Sequence, residues 1–119
     1  MTKENKRQIG TKYEKMAGAF LIKQGYEILF YNYRCFFGEI DIVAKDEDTL
    51  VFCEVKYRNI SKGGNPLEAV DYKKQQILFK SAMNYLNFEY KKNPPCRFDV
   101  IGFVGDEVIH VKDAFQGAN

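Results

Sequence analysis

Apolar residues recur at three- and four-residue steps at Ile9, Tyr13, Met16, Ala17 and Phe20, which predicts one helix with a single buried face. Gly25 ends that pattern, as a residue able to take the left-handed conformation just past a helix terminus. The chain then turns β-branched and aromatic. Residues 26–33 read as a strand of loose alternation, and residues 34–45 and 49–57 as two firmer strands around the polar turn Asp46-Glu47-Asp48. Residues 59–64 are polar and glycine-rich, hence a loop. Asn65-Pro66 reads as an N-cap followed by proline in the first helical turn, where its missing N–H costs nothing. Leu67, Val70, Ile77, Leu78, Ala82 and Leu86 follow as the stripe of a second helix, and Asn93-Pro94-Pro95 stops it. Residues 97–104 and 107–112 form two last strands around Gly105-Asp106. The predicted order is α-β-β-β-α-β-β in one domain over residues 1–119. A long helix between strands of one sheet requires a parallel crossover, so the fold class is α/β: a mixed central sheet flanked by helices.

Composition narrows the function. At 119 residues, 45% hydrophobic and 29% charged, the chain reads as an ordinary globule with one core. No apolar run approaches the roughly 18 residues a membrane span needs, and the start has no secretory pattern, so no membrane partner is expected and a cytoplasmic location is the default. The formal charge of +2 does not announce a nucleic-acid binder by itself. Three cysteines, Cys35, Cys53 and Cys96, lie too far apart for zinc-ligand spacing. Cys53 sits in an apolar strand, where a thiol acts as a small hydrophobe. The one histidine, His110, falls in a short alternating run and reads as a strand residue facing solvent. Any catalysis is thereby left to carboxylates and lysines.

Those residues concentrate in Gly38-Glu39-Ile40-Asp41-Ile42 and Cys53-Glu54-Val55-Lys56-Tyr57-Arg58. Strict alternation puts Glu39 with Asp41, and Glu54 with Lys56 and Arg58, on one face of their respective strands. A symmetric hairpin centred between Glu47 and Asp48 sets Asp41 opposite Glu54 and Glu39 opposite Lys56, with opposed Cβ atoms about 5 Å apart; a one-residue bulge would move Asp41 to the other face. Hard divalent cations such as Mg²⁺ take one or two carboxylates plus waters and phosphate, which Asp41, Glu54 and the Val55 carbonyl could supply. Lys56 could then position a water or stabilise a phosphate, and Arg58 suits a phosphodiester oxygen. Lys73 and Lys74, at the polar side of the second helix, could touch a nucleic-acid backbone. The competing reading stays open on spacing alone: opposite charges across an exposed hairpin form salt bridges worth only about 0.2–1 kcal/mol. Asp99 is expected to pair with Arg97 or to cap, and Tyr31 and Tyr33 either pack or stack on bases.

Taken together, Gly10-Thr11-Lys12-Tyr13-Glu14, Gly25-Tyr26, Asn32-Tyr33-Arg34, Gly38-Glu39-Ile40-Asp41, the run from Leu50 to Arg58, Glu68-Ala69-Val70 and Arg97-Phe98-Asp99-Val100 resemble the YraN-like family of small predicted endonucleases. That family belongs to the restriction-endonuclease-like superfold and is similar to archaeal Holliday-junction resolvases in motif and element order. The resemblance implies Asp41 and Glu54 as catalytic ligands of Mg²⁺ or Mn²⁺, Lys56 as the catalytic lysine and Glu14 as an accessory metal ligand. Glu39 is an accessory acid, and Arg34, Arg58, Lys73 and Lys74 are candidates for DNA contact. The proline that often precedes the aspartate is Ile40 in this chain. The implied substrate is branched or otherwise structured DNA, cut by a homodimer. Two alternatives accompany it: a nucleic-acid-binding or protein-docking module that keeps the fold without turnover, and an RNA-processing nuclease.

Overall fold

The computed structural model describes residues 6–58 and 70–116, with residues 6–10 and Arg58 described by backbone alone. Helix α1 (Lys6–Lys23) leads into strands β1 (Glu27–Cys35), β2 (Gly38–Asp46) and β3 (Thr49–Arg58). Helix α2 (Tyr72–Tyr85) runs on through a wider π turn at Leu86–Tyr90, and β4 (Cys96–Val104) and β5 (Glu107–Phe115) complete the chain. The strands form one five-stranded mixed sheet in sequence order. β3 and β4 are parallel and the other neighbours antiparallel, as a helical crossover between β3 and β4 requires.

The helices cover opposite faces. Ala17 and Leu21 of α1 bury against Ile42, Ala44, Val51, Cys53, Ile101 and Phe103. Leu78, Ala82 and Tyr85 of α2 bury against Tyr33, Ile40, Val43, Leu50, Phe52 and Val100. Cys53 is the buried small hydrophobe its strand pattern implied. Among the described residues no helix is long and apolar enough to cross a membrane.

Several boundaries differ from the sequence expectation for identifiable reasons. Residues 34–45 are not one strand: Arg34 and Cys35 finish β1, and Phe36-Phe37 is a two-residue turn into β2. Two phenylalanines carry none of the usual turn chemistry, so the turn is invisible in composition. The Asn65-Pro66 cap and Leu67 lie outside the described residues. α2 begins at Tyr72, capped by Asp71, whose carboxylate accepts the Lys74 backbone N–H at 2.9 Å; Val70 precedes the helix and is buried all the same. In α1, Ile9 lies outside the described side chains and Met16 is 43% exposed, while Leu21 takes the buried place. Gly25 does end α1, at φ 94°, with Tyr26 N–H donating to the Leu21 carbonyl and Gly25 N–H to that of Ile22.

His110 is also corrected. It does not face solvent: its Nε2 sits 2.8 Å from Asp99 Oδ2 and its side chain is only 8% exposed. Asp99, fully buried, additionally accepts from Arg97 Nε at 3.0 Å and from the Asp113 N–H at 3.0 Å. Arg97 reaches on to Asp46 at 3.2 Å and to the Tyr26 hydroxyl. This network ties β5 and the β2–β3 turn to β4. Asp99 therefore does pair with Arg97, as expected, but within a larger buried cluster.

Candidate active site at a fork in the sheet

The β2–β3 hairpin keeps the symmetric register from Asp46 opposite Thr49 as far as Ile42 opposite Cys53. There the ladder stops, one step short of Asp41 and Glu54. Beyond it β2 stays paired with β1 and β3 with β4, so the sheet forks. A change of strand phase accompanies the split. Ile40 packs on the α2 side and Ile42 on the α1 side, although residues two apart on a regular strand share a face. Asn32, which lies between the two pairs Tyr31–Ile42 and Tyr33–Ile40 on the neighbouring strand, has φ 55°, a conformation asparagine tolerates better than most residues.

The fork decides where the acids go. Asp41 does not stand directly across a ladder from Glu54; its Oδ2 accepts the Val55 N–H at 2.8 Å, a donor that a continued ladder would have used. Glu54, also buried, receives Lys56 Nζ at 3.3 Å and Lys74 Nζ at 3.7 Å, both on Oε1. Its Oε2 is buried without a hydrogen-bond partner. The expected Glu39–Lys56 opposition does not form, because the ladder ends first. Glu39 pairs instead with Arg34 at 3.1 Å across the β1–β2 arm, both side chains being substantially exposed.

From the α1 side Glu14 approaches the same region. It is hydrogen-bonded to Asn32 and its Oε2 is buried without a partner. Burial pushes its carboxyl up, and the charges of Glu39 and Glu54 add to that against the Asn32 hydrogen bond. Asp41 is displaced further: burial, then the Glu54 charge, push it up to about 8 despite the Val55 hydrogen bond. Lys56, Lys74 and Asp41 thus gather about Glu54 where the strands part, with Glu14 close enough for its charge to bear on Asp41.

The remaining candidates divide. Of the adjacent lysines, Lys74 enters the site and Lys73 is exposed. Arg58 closes β3, but its side chain lies outside the described residues. Tyr33 belongs to the core, its hydroxyl accepting from Asn84, and Tyr31 lies over Gly18 of α1, where a Cβ would collide with its ring. Sequence reasoning missed the role of Asn32, since nothing in composition reveals a positive φ. It also missed the stack of Tyr13 on Tyr57, 4.4 Å between centroids, which joins α1 to β3 just past Lys56.

The donor set suits a hard divalent cation. Buried Glu54 Oε2 lacks a partner, and the ionised Asp41 carboxylate is disfavoured by burial and by the Glu54 charge; a cation between them would remove both penalties. Among the described residues no three His, Cys, Asp or Glu side chains form a ready-made metal cluster. Two carboxylates, with the remaining positions left to water and phosphate, is the arrangement Mg²⁺ favours.

One consequence is testable without activity. Asp41 titrates in the fold well above its ordinary 3.8, so its contribution to metal-free stability is complete below that value and is lost as pH rises toward about 8. Asp41→Asn keeps an acceptor for Val55 N–H and carries no charge. In EDTA it is expected to melt about 4–8 °C above wild type at pH 8, the equivalent of about 1 kcal/mol, and close to it at pH 4. A melting temperature below wild type at pH 8 would show that the carboxylate ionises there without cost.

A model of the uncharacterised protein family UPF0102 matches residues 13–103, a span that holds Glu14, Asp41, Glu54, Lys56 and Lys74. A UPF0102 protein of Lachnoclostridium phytofermentans is 44% identical over 113 residues, covering 94% of this chain and 96% of the relative. One of Thermodesulfovibrio yellowstonii is 44% identical over 108 residues, covering 91% and 96%. One of Fusobacterium nucleatum is 39% identical over 113 residues, covering 95% of each.

Proposed function

This chain belongs to the UPF0102 (YraN-like) family, and from that membership and the geometry of the fork we propose that it is a metal-dependent endonuclease hydrolysing DNA phosphodiesters, with branched or otherwise structured DNA as substrate and a homodimer as the cutting unit. The observation that carries the proposal is the buried pair Asp41–Glu54, whose charges oppose one another, with Lys56 beside it at the point where β2 and β3 separate. Salt bridges on a solvated hairpin do not account for it. Surface pairs leave both partners hydrated, whereas these acids are removed from water and one buried oxygen has no partner.

Asp41 and Glu54 would hold Mg²⁺ or Mn²⁺, with the Val55 carbonyl within the same short segment and Glu14 as an accessory acid. The cation, when bound, acidifies a water and neutralises charge on the phosphate. The chain's own groups do the rest. Val55 N–H fixes the Asp41 carboxylate, and the Glu54 carboxylate draws the Lys56 and Lys74 ammonium groups to the fork. Lys56, partly exposed, orients the attacking water or holds a non-bridging phosphate oxygen. The water oxygen forms its bond to phosphorus as the bond to the leaving deoxyribose oxygen breaks, the water giving up a proton to solvent and the leaving oxygen taking one from solvent. Lys73 and Arg34, both exposed, meet flanking phosphates.

The direct test is cleavage of end-labelled linear, flapped and four-way DNA, and of RNA of matched sequence, in Mg²⁺, Mn²⁺ or EDTA. The expected result is metal-dependent cutting of DNA, fastest on the branched forms. DNA binding that falls with salt but is indifferent to metal, with no cutting, would favour the non-catalytic module; cleavage of RNA alone would move the substrate class.

A further inference from the structure

Past the fork, the β1–β2 arm ends in the Phe36–Phe37 turn. Phe36 is 96% exposed, more than any other large apolar residue described, and Phe37 is 44% exposed. Their rings meet edge to face, 5.5 Å between centroids. A two-residue turn has no interior in which to hide a side chain, so polar residues are the usual occupants; two phenylalanines there leave a large apolar area in water. The arm beneath them is braced. Gly38 lies so close to α2 that a Cβ would come within 2.5 Å of Ile77 Cγ2, and the Arg34–Glu39 pair ties β1 to β2 one step below the turn. Along β2, Phe37 is four residues from Asp41, about 13 Å at strand rise. That is the length of about four base-pair steps of a duplex.

We propose that the Phe36–Phe37 tip is a stacking wedge for an unpaired nucleobase, which selects DNA whose duplex is interrupted within a few nucleotides of the scissile phosphate. The wedge rests on the nuclease reading above and adds to it how the substrate is chosen. An intact duplex keeps its base faces stacked and offers the tip nothing, whereas a branch, gap or bulge presents a free face, and an aromatic ring stacks on any base. A second protein chain is a poorer occupant. Two phenylalanine rings bury about 150–250 Å² each, against about 800 Å² per partner in a stable interface. The cations around the cleft, Arg34, Lys56, Lys73 and Lys74, also match a polyanion better than another copy of a chain carrying the same charges.

The test is equilibrium binding, in EDTA so that nothing is cut, of the full chain to one duplex with and without a central unpaired bulge. Phe36→Ala is expected to lower affinity for the bulged duplex about tenfold or more and to leave the intact duplex within about twofold, and Phe36→Trp to restore it. Because Phe36 is nearly fully exposed, the variants should melt with wild type, which checks the fold. Equal loss on both duplexes, no loss on either, or a wild-type dimer that Phe36→Ala dissociates without changing DNA binding would each overturn the wedge. Parallel cleavage in Mn²⁺ separates the two ideas. Cutting by wild type with no bulge-specific loss in Phe36→Ala sinks the wedge alone, while a bulge-specific loss without any cutting sinks the nuclease and leaves the wedge.

Discussion

Replacing Glu54 by glutamine is expected to reduce metal-dependent DNA cleavage by roughly 10²–10³-fold or more, while the protein remains folded. Glutamine keeps the volume of the buried side chain and one oxygen, so packing against the crossover helix survives. It loses the negative charge, which would share a cation with Asp41 and which pairs Lys56 at 3.3 Å and Lys74 at 3.7 Å. These groups act as a unit, so their removal should not add. Glu54→Gln combined with Lys56→Met is expected to be little slower than either alone. Lys74→Ala should be milder, since Lys56 keeps the shorter contact with the same oxygen. Cleavage rates under single turnover with Mn²⁺, with circular dichroism as the folding check, measure all four chains. Wild-type rates in Glu54→Gln would mean that cutting arises elsewhere on the chain or from a contaminant.

The second large effect is on stability and lies away from the fork. Asp99→Ala is expected to cost about 3–5 kcal/mol, because it strands Arg97 and His110, both largely buried, along with the Asp113 N–H. Burial alone would push the Asp99 carboxyl up. The hydrogen bond from His110, then those from the Asp113 N–H and Arg97, outweigh it, and the group ends below the ordinary 3.8. Its stabilisation is therefore present above the unfolded value and is lost as pH falls through the lower folded one. Wild type should lose urea resistance on acidification through that window, and Asp99→Ala should show a flatter acid limb from a lower starting point. Asp99→Asn, which keeps the shape and one acceptor, should fall between them. Parallel acid limbs for wild type and Asp99→Ala would show that the network adds no pH-dependent stability. The sign is opposite to that of Asp41, where deprotonation burdens the fold above the ordinary 3.8, so a carboxylate held for structure shows its effect below that value and one held against its preference above it.

That contrast was only partly visible along the chain. Asp41, Glu54 and Lys56 stood out because alternation and a short hairpin are local matters, and the symmetric register holds through Ile42 and Cys53. Asp99 and His110 did not stand out as a pair. They are joined by strand pairing between β4 and β5 with a register shift between Phe98 and Val100, which composition does not encode. Phe36-Phe37 is the reverse case: a turn written in residues that ordinarily mark strands, so a strand was read through it.

What the sequence by itself determined is the order α-β-β-β-α-β-β, the parallel crossover and the presence of two acids and a lysine on neighbouring strands. Periodicity, caps and hairpin pairing act over a few residues and are written where they act. What only the tertiary structure decided is that the ladder parts before Asp41 meets Glu54, that Lys74 and not Lys73 reaches Glu54, and that His110 turns inward. Each depends on where a helix or strand from elsewhere in the chain docks, and the energies that select those positions come from burial and charge pairing between residues far apart in sequence.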